Sequence, residues 1–239
     1  MIALQVGVKR RLSRRNDPNV AQADTEFERI KPAILTRDRY TCQGCGMHTV
    51  TQPNRPQGYF EVHHLDDDHH NNQKANLTTL CPFCHMVFTL GRRGDRVSGE
   101  LIVLPNLPQA QLNLLCHVIF GLSHLHEREQ LAHLPGPMVQ AAGKVPDLYI
   151  ALQASGRDAL HDLYHDMPEL FEVDTLSTVL ATLPQTHYRQ RERLLGGLRI
   201  LPVMSHFKVE SAYWAEHLWA KSSRGWGDLL DQVSSLVHP

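Results

Sequence analysis

The residues of this chain with the clearest chemistry are four cysteines in two close pairs, Cys42-Gln-Gly-Cys45 and Cys81-Pro-Phe-Cys84. A Cys-x-x-Cys turn holds two thiolates on one side of a tight loop, and two such turns supply the four soft ligands that tetrahedral zinc prefers. Because four thiolates leave no open coordination position, we expect this zinc to be structural. Folding of the segment around the cysteines should then depend on the metal.

The segment between the two pairs is long enough to contain secondary structure of its own. The sequence predicts a loop over residues 49–58, a strand over 59–65 and a polar loop over 66–75. The second cysteine pair is predicted to begin a helix that runs to about residue 90. A short buried strand follows at 100–105 and ends at a proline.

Histidines next to these elements could bind a second ion or activate water. His63 and His64 lie in the predicted strand, and His85 directly follows the last cysteine. Neighbouring residues of a regular strand point to opposite faces, so His63 and His64 share one site only if the strand distorts or ends there. His69 and His70, in the polar loop, are interpreted as solvated side chains.

Residues 38–90 resemble the HNH (ββα-metal) nuclease motif, through the first cysteine pair, Val62-His63-His64, Asn76-Leu77 and Cys81-x-x-Cys84-His85. The resemblance implies that His63 and His85 hold a hydrolytic ion such as Mg²⁺, Mn²⁺ or Ni²⁺. It also implies that His64 is the general base and that Asn76 orients it. A neutral imidazole can accept a proton from water, and an ion with two protein ligands keeps positions open for phosphate oxygens.

The chain departs from that motif after His85, where the family has a basic residue or a further histidine. Met86, Val87 and Phe88 stand there instead, and they suit a helix packed into a core better than one beside a phosphate. The alternative is therefore that the histidines remain on a fold that serves only as a scaffold.

Composition limits the classes of function. With 239 residues, the chain forms one large domain or two small ones. Hydrophobic residues make up 42% of it and the formal net charge is −1, which argues against coating nucleic acid through bulk charge. Paired cysteines indicate a reducing cytosol, and no apolar run reaches membrane-span length. We expect a cytoplasmic protein that a partner could recruit to the inner membrane.

The expected fold class is α+β, with a zinc-stabilised HNH-like ββα core and short strands, followed by a mainly helical C-terminal half. The predicted division is an N-terminal strand and basic arm (1–24), an HNH-like zinc domain (25–105) and a helical region packed on it (106–239). A helix is predicted to start at an N-cap on Thr25, and the segment 135–146 is predicted to be a loop because of its prolines and glycines. Further helices are predicted over 109–134, 147–165, 174–183, 186–199, 206–221 and 226–236. The basic run Lys9, Arg10, Arg11, Arg14 and Arg15 is interpreted as a solvated arm.

Most of the chain is also similar to the IcmJ (DotN) proteins of type IVB secretion systems. The similar stretches are Arg37-Asp-Arg-Tyr-Thr-Cys42, Leu101-Ile-Val-Leu-Pro105, the helix from Gln109 to Phe120, and Leu198-Arg-Ile-Leu-Pro202. The resemblance implies a cytoplasmic subunit of the coupling complex that binds the C-terminal part of the coupling ATPase. The well-known member of that family is regarded as a fold without nuclease activity that has lost its active-site histidines, whereas this sequence keeps His63, His64, Asn76 and His85.

Two functional hypotheses follow. In the first, the chain is an adaptor whose helical half and strand at 101–104 form a surface for the coupling ATPase. In the second, it is a metal-dependent nicking endonuclease that acts on DNA. The neutral isoelectric point and the apolar residues after His85 favour the first hypothesis, and the retained histidine-asparagine set favours the second.

Overall fold

Helices and two small sheets make up the structure. The computed structural model describes residues 2–10, 17–91, 99–132, 134, 136–166, 169 and 172–219. In chain order its elements are α1 (Val20–Arg37), β1 (Glu61–His64), β2 (Leu77–Leu80), α2 (Pro82–His85), β3 (Gly99–Val103), α3 (Gln109–Glu127), α4 (Gly136–Ala142), α5 (Val145–Tyr164), α6 (Val173–Thr182), α7 (Gln185–Arg189), α8 (Arg191–Leu194), β4 (Leu198–Pro202) and α9 (Lys208–Trp214). This mixture agrees with the expected α+β class. Two predictions lie outside the described residues: the solvated state of Arg11, Arg14 and Arg15, and the helix over 226–236.

The first sheet and the helix after it bring the two cysteine pairs together. β1 and β2 are antiparallel, with His63 opposite Thr78. The backbone N–H of Gln43 donates to the Thr79 carbonyl at 2.9 Å, which ties the first cysteine turn to β2. α2 begins one residue after the end of β2, with Pro82 in its first turn. Backbone N–H groups of the first turn have no acceptor within the helix, so proline costs no hydrogen bond there. α2 has only four residues, and a 3₁₀ turn at Met86–Phe88 follows it where a helix to residue 90 was expected.

Helix α1 begins earlier than the sequence predicted. It starts at Val20, and Asn19 is the residue that precedes its first turn. Thr25 lies inside the helix, where its hydroxyl donates to the Ala21 carbonyl at 2.8 Å. The predicted N-cap at Thr25 is therefore wrong, because its hydroxyl bonds to the preceding turn and not to a free N–H. The predicted boundary between residues 24 and 25 falls within this helix.

The second sheet joins distant parts of the chain. β3 pairs antiparallel with β4, so that Leu101 lies opposite Ile200. The sequence prediction missed β4, because a short buried apolar run looks the same as the end of a helix. The same sheet spans the predicted boundary at residue 105. Leu101, Ile102 and Val103 are at most 4% exposed, so this strand belongs to the core and cannot form the partner-binding surface that was expected there.

Two further segments differ from their predicted forms. Residues 136–142 form α4 where a loop was expected. Residues 2–10 form no regular strand, and Gly7 exchanges backbone hydrogen bonds with Val87 and Leu90. Arg10 lies 4.5 Å from the centre of the Tyr188 ring and so is held against the protein.

The apolar interior has two parts. The larger surrounds the cysteines and includes α3 and the fully buried Trp214 of α9, and the smaller lies around β3 and β4. Within the part of the chain that the structure describes, no helix is long and apolar enough to cross a membrane.

A candidate zinc centre and the histidines beside it

The four cysteines of the two pairs converge on one buried point. Their Sγ atoms all lie within 4.8 Å of one another, and each residue is at most 5% exposed. The Sγ atoms of Cys45 and Cys81 are 3.8 Å apart. Zinc–sulfur bonds of about 2.3 Å give a regular tetrahedron with edges of about 3.8 Å, so this separation suits zinc. The set of Cys42, Cys45, Cys81 and Cys84 could therefore hold a zinc ion.

A bound cation would also compensate the negative charge of thiolates in this buried cluster. Burial raises the pKa of the Cys81 and Cys84 thiols well above its ordinary value of 9.0. Four neutral thiols in contact would gain little from one another, since S–H is a weak donor and sulfur a weak acceptor. A bound Zn²⁺ stabilises the thiolates and would hold the two turns together.

The first cysteine turn depends on glycine at Gly44. A side-chain carbon there would lie 3.0 Å from Cys84 Sγ and 2.9 Å from Leu4 Cδ2. The glycine thus lets the backbone approach the sulfur of the second pair. Gly46, which follows the turn, has a positive φ of 80°, a conformation that glycine adopts without strain.

Two polar side chains of helix α3 lie within hydrogen-bonding distance of the cysteine sulfurs. Asn113 Nδ2 donates to Cys84 Sγ at 3.3 Å, and His117 Nε2 lies 3.3 Å from Cys81 Sγ. Burial lowers the pKa of His117 to about 3, so its ring is neutral at pH 7 and can donate one N–H. Hydrogen bonds from such outer residues orient metal ligands and tune their charge. We interpret Asn113 and His117 as the outer shell of the candidate zinc centre.

Sequence reasoning missed these two residues, although a signal for them exists. Gln109, Asn113 and His117 recur every four positions along a helix that is otherwise largely apolar, so they share one face. Gln109 Nε2 donates to Asn113 Oδ1 at 2.8 Å, and its amide also bonds to the backbone of Ile200 in β4. This row of polar groups connects the cysteine cluster to the second sheet.

His63 and His85 lie side by side, as the nuclease-like motif implies. Their ring centres are 5.3 Å apart, and His63 also stacks on Phe88 at 4.8 Å. His85 Nδ1 is 2.7 Å from the Glu61 carboxylate. Burial lowers the pKa of His63 to about 2, so its ring stays neutral, and its Nδ1 has no hydrogen-bond partner among the described residues.

His64 and Asn76 have different surroundings. The His64 ring is 2% exposed and packs against Phe27, with ring centres 4.7 Å apart. Its Nε2 is 2.9 Å from the amide oxygen of Asn72, a residue that sequence reasoning did not single out. The Asn76 amide binds Asp66 instead, accepting from its N–H at 3.1 Å and donating to its carboxylate at 2.8 Å. The regular strand thus separates His64 from His63, and the roles assigned to His64 and Asn76 stay predictions.

Cys116 lies fully buried in α3, in agreement with its interpretation as a small apolar side chain. The interpretation of His69 as solvated is wrong, since this residue is 5% exposed and lies 2.6 Å from the Asp17 carboxylate.

Comparison with known proteins gives one clear similarity. The chain matches no family model. Over 99 residues it is 41% identical to the type 4 apparatus protein DotN of Legionella pneumophila subsp. pneumophila (strain Philadelphia 1). The match covers 41% of this chain and 43% of that protein, so less than half of either chain is aligned. The resemblance to the DotN (IcmJ) proteins expected from the sequence is confirmed over that stretch.

Proposed function

We propose that this protein is a component of a type IV secretion apparatus, in which a zinc-stabilised fold acts as an adaptor that binds the C-terminal region of the coupling ATPase. The observation that supports the apparatus assignment is the 41% identity with a type 4 apparatus protein over 99 residues. The ATPase as partner rests on the sequence resemblance described above.

The chemistry of the site favours a scaffold. Four cysteine ligands saturate a tetrahedral ion and leave no position for a substrate. His64, the expected general base, is 2% exposed beneath Phe27, whereas a base must reach the water that it activates. Val87, in the segment that departs from the nuclease motif, is fully buried, which supports the interpretation that this segment packs into the core.

Co-purification tests the adaptor role. The full chain and the C-terminal region of the coupling ATPase of the same secretion system are co-expressed, with the tag on the ATPase. A stable one-to-one complex is the expected result, together with its loss in Cys84→Ala, which cannot complete the cysteine set. Recovery of the ATPase region alone, while the wild-type protein stays folded and zinc-bound, would refute the adaptor role.

Surface variants can locate the contact without changing the fold. Ile150 and Leu163, on α5, are 60% and 56% exposed, so replacing either by glutamate removes no core contact. Leu194 on α8 is similarly exposed at 54% and gives the matched control. Weaker binding in Ile150→Glu or Leu163→Glu, with Leu194→Glu unchanged, would locate the contact on that side of α5, and the opposite pattern would locate it on α8. Cell fractionation with and without the ATPase tests the proposed recruitment of a cytoplasmic protein to the inner membrane.

A metal-dependent DNA endonuclease is the second candidate, and one observation favours it. His85 lies beside both His63 and Glu61, and imidazole with carboxylate is a ligand set for divalent ions. Plasmid nicking with Mg²⁺, Mn²⁺ or Ni²⁺, run beside His64→Ala and a chelator control, tests this candidate. Metal-dependent cleavage that His64→Ala abolishes would establish the nuclease. Equal traces of cleavage in the wild type and the variant would indicate contamination.

A further inference from the structure

A second cluster of metal-ligand side chains lies outside the cysteine centre and contains none of the residues to which the nuclease-like motif gives a role. It consists of Asp17, just before α1, and of His69 and His70, in the loop after β1. Asp17 Oδ2 lies 2.6 Å from Nε2 of both histidines, and all three ligand atoms lie within 4.8 Å of one another. We propose that these three residues bind a divalent transition-metal ion.

The donor set has the chemistry of such a site. Two imidazole nitrogens and one carboxylate oxygen suit zinc, cobalt, nickel and iron. Bonds of about 2.0–2.1 Å to a tetrahedral ion place neighbouring ligand atoms about 3.3 Å apart, so the cluster must open by about 0.7 Å to admit the ion. Both the Asp17–His70 and the Asp17–His69 separations must increase. His70 can move readily, since its side chain is 44% exposed, and the buried side chains of Asp17 and His69, which are 3% and 6% exposed, must shift apart by the same small distance.

The carboxylate is held in place for this role. The backbone N–H of Asn19 donates to Asp17 Oδ1 at 2.9 Å, which leaves Oδ2 directed at the two imidazoles. An aspartate carboxylate is ionised at neutral pH, as a metal ligand must be. A metal ligand whose second oxygen is hydrogen-bonded keeps its orientation when the ion binds.

The loop that carries the histidines is braced as well. The backbone N–H of His70 donates to Asp68 Oδ1 at 3.0 Å, and the N–H of Asp68 donates to Asp66 Oδ1 at 2.9 Å. These bonds hold the loop in position before any ion arrives.

The bound ion crosslinks the residue just before α1 to the loop that follows β1. Asp17 and His69 are 52 positions apart in the chain, so the contact closes a long loop. In the same histidine loop, Asn72 bonds to His64 and donates to the Ala23 carbonyl of α1 at 3.2 Å. Metal binding therefore stabilises the surroundings of His64. Three protein ligands would leave a fourth position for water.

Cobalt titration of the full chain loaded with a single equivalent of zinc tests the proposal, because the four thiolates take that zinc and leave the histidine cluster available for cobalt. With zinc in the cysteine centre, we expect one further equivalent of Co²⁺ to bind, with the weak visible bands of nitrogen and oxygen ligands and no thiolate-to-cobalt charge-transfer band. His70→Ala and Asp17→Asn should each weaken this binding by at least about tenfold, because each removes one of three ligands. The matched control is His161→Ala, which removes a histidine that is 79% exposed on α5.

The result that overturns the proposal is equally clear. If zinc-loaded wild type takes up no further cobalt, or if His70→Ala and Asp17→Asn bind it as well as wild type, the cluster is not a metal site. A loss of cobalt binding in His161→Ala as large as in His70→Ala would also overturn it, since it would indicate unspecific surface binding. Thermal unfolding of the zinc-loaded variants verifies that the exposed His70 was removed without loss of the fold.

Discussion

Replacement of His117 by phenylalanine isolates one hydrogen bond to the candidate zinc centre. His117 Nε2 lies 3.3 Å from Cys81 Sγ, and its ring stacks on Phe83 at 4.1 Å and meets the Trp214 ring edge-on at 4.9 Å. Phenylalanine keeps an aromatic ring in this space and removes only the donor. A hydrogen bond to a charged group is worth about 1.5–3 kcal/mol, which corresponds to about 10–100-fold in zinc affinity.

Competition with a chromophoric chelator measures this affinity directly. Ser123→Ala is the control, because Ser123 lies on the same helix, is 4% exposed, and has a hydroxyl without a hydrogen-bond partner among the described residues. We expect zinc affinity to fall by at least about tenfold in His117→Phe and to stay unchanged in Ser123→Ala. A His117→Phe protein that is folded and binds zinc within about twofold of wild type would refute the outer-shell role of His117.

Three further predictions concern the fold. Cys84→Ala should lose zinc, and the segment around the cysteines should unfold, as measured by metal content and circular dichroism. A folded variant with full zinc content would show that Cys84 is not a ligand. Buried His63 has a pKa of about 2 in the fold against about 6.5 when unfolded, so only the unfolded chain gains its proton as pH falls below about 6.5. Protonation of His63 in the unfolded chain should therefore lower the free energy of unfolding by about 1.4 kcal/mol for each pH unit below about 6.5. His63→Phe lacks this group, so its free energy of unfolding, measured with urea in excess zinc, should fall less steeply as the pH is lowered. Equal slopes would contradict the buried, neutral state of His63. Gly156→Ala on α5 should lower the free energy of unfolding, because the alanine side chain would lie 2.8 Å from Ile102 Cβ, and this clash outweighs the preference of alanine for helices. An unchanged or raised urea midpoint would show that α5 can move away from β3.

Local spacing explains why the cysteine cluster could be predicted. Each Cys-x-x-Cys turn is specified by a few adjacent residues, and zinc requires four ligands, so two turns imply one site wherever they lie in the chain. The strand at His63 and His64 was predicted for the same reason, since its apolar and aromatic residues are consecutive. These features depend on short-range geometry that the sequence displays directly.

The histidines show where sequence reasoning ends. His63 and His64 are adjacent in sequence, yet the alternation of the strand places one near His85 and Phe88 and the other near Phe27 and Asn72. A motif names residue types and spacings, but burial and partners determine whether a ring can reach water. The prediction for His69 failed similarly, because its partner Asp17 is 52 positions away.

Residue types at short or fixed spacing were enough to predict a four-cysteine cluster, the α+β class and the similarity to a type 4 apparatus protein, because none of these three depends on knowing which distant residues meet. Three sets of contacts become visible only in the folded chain: β3 pairs with β4, Asn113 and His117 reach the cysteine sulfurs, and Asp17 meets His69 and His70. These contacts join residues that are 29 or more positions apart. Packing of the whole chain selects them, and no local pattern specifies which distant partner each residue meets.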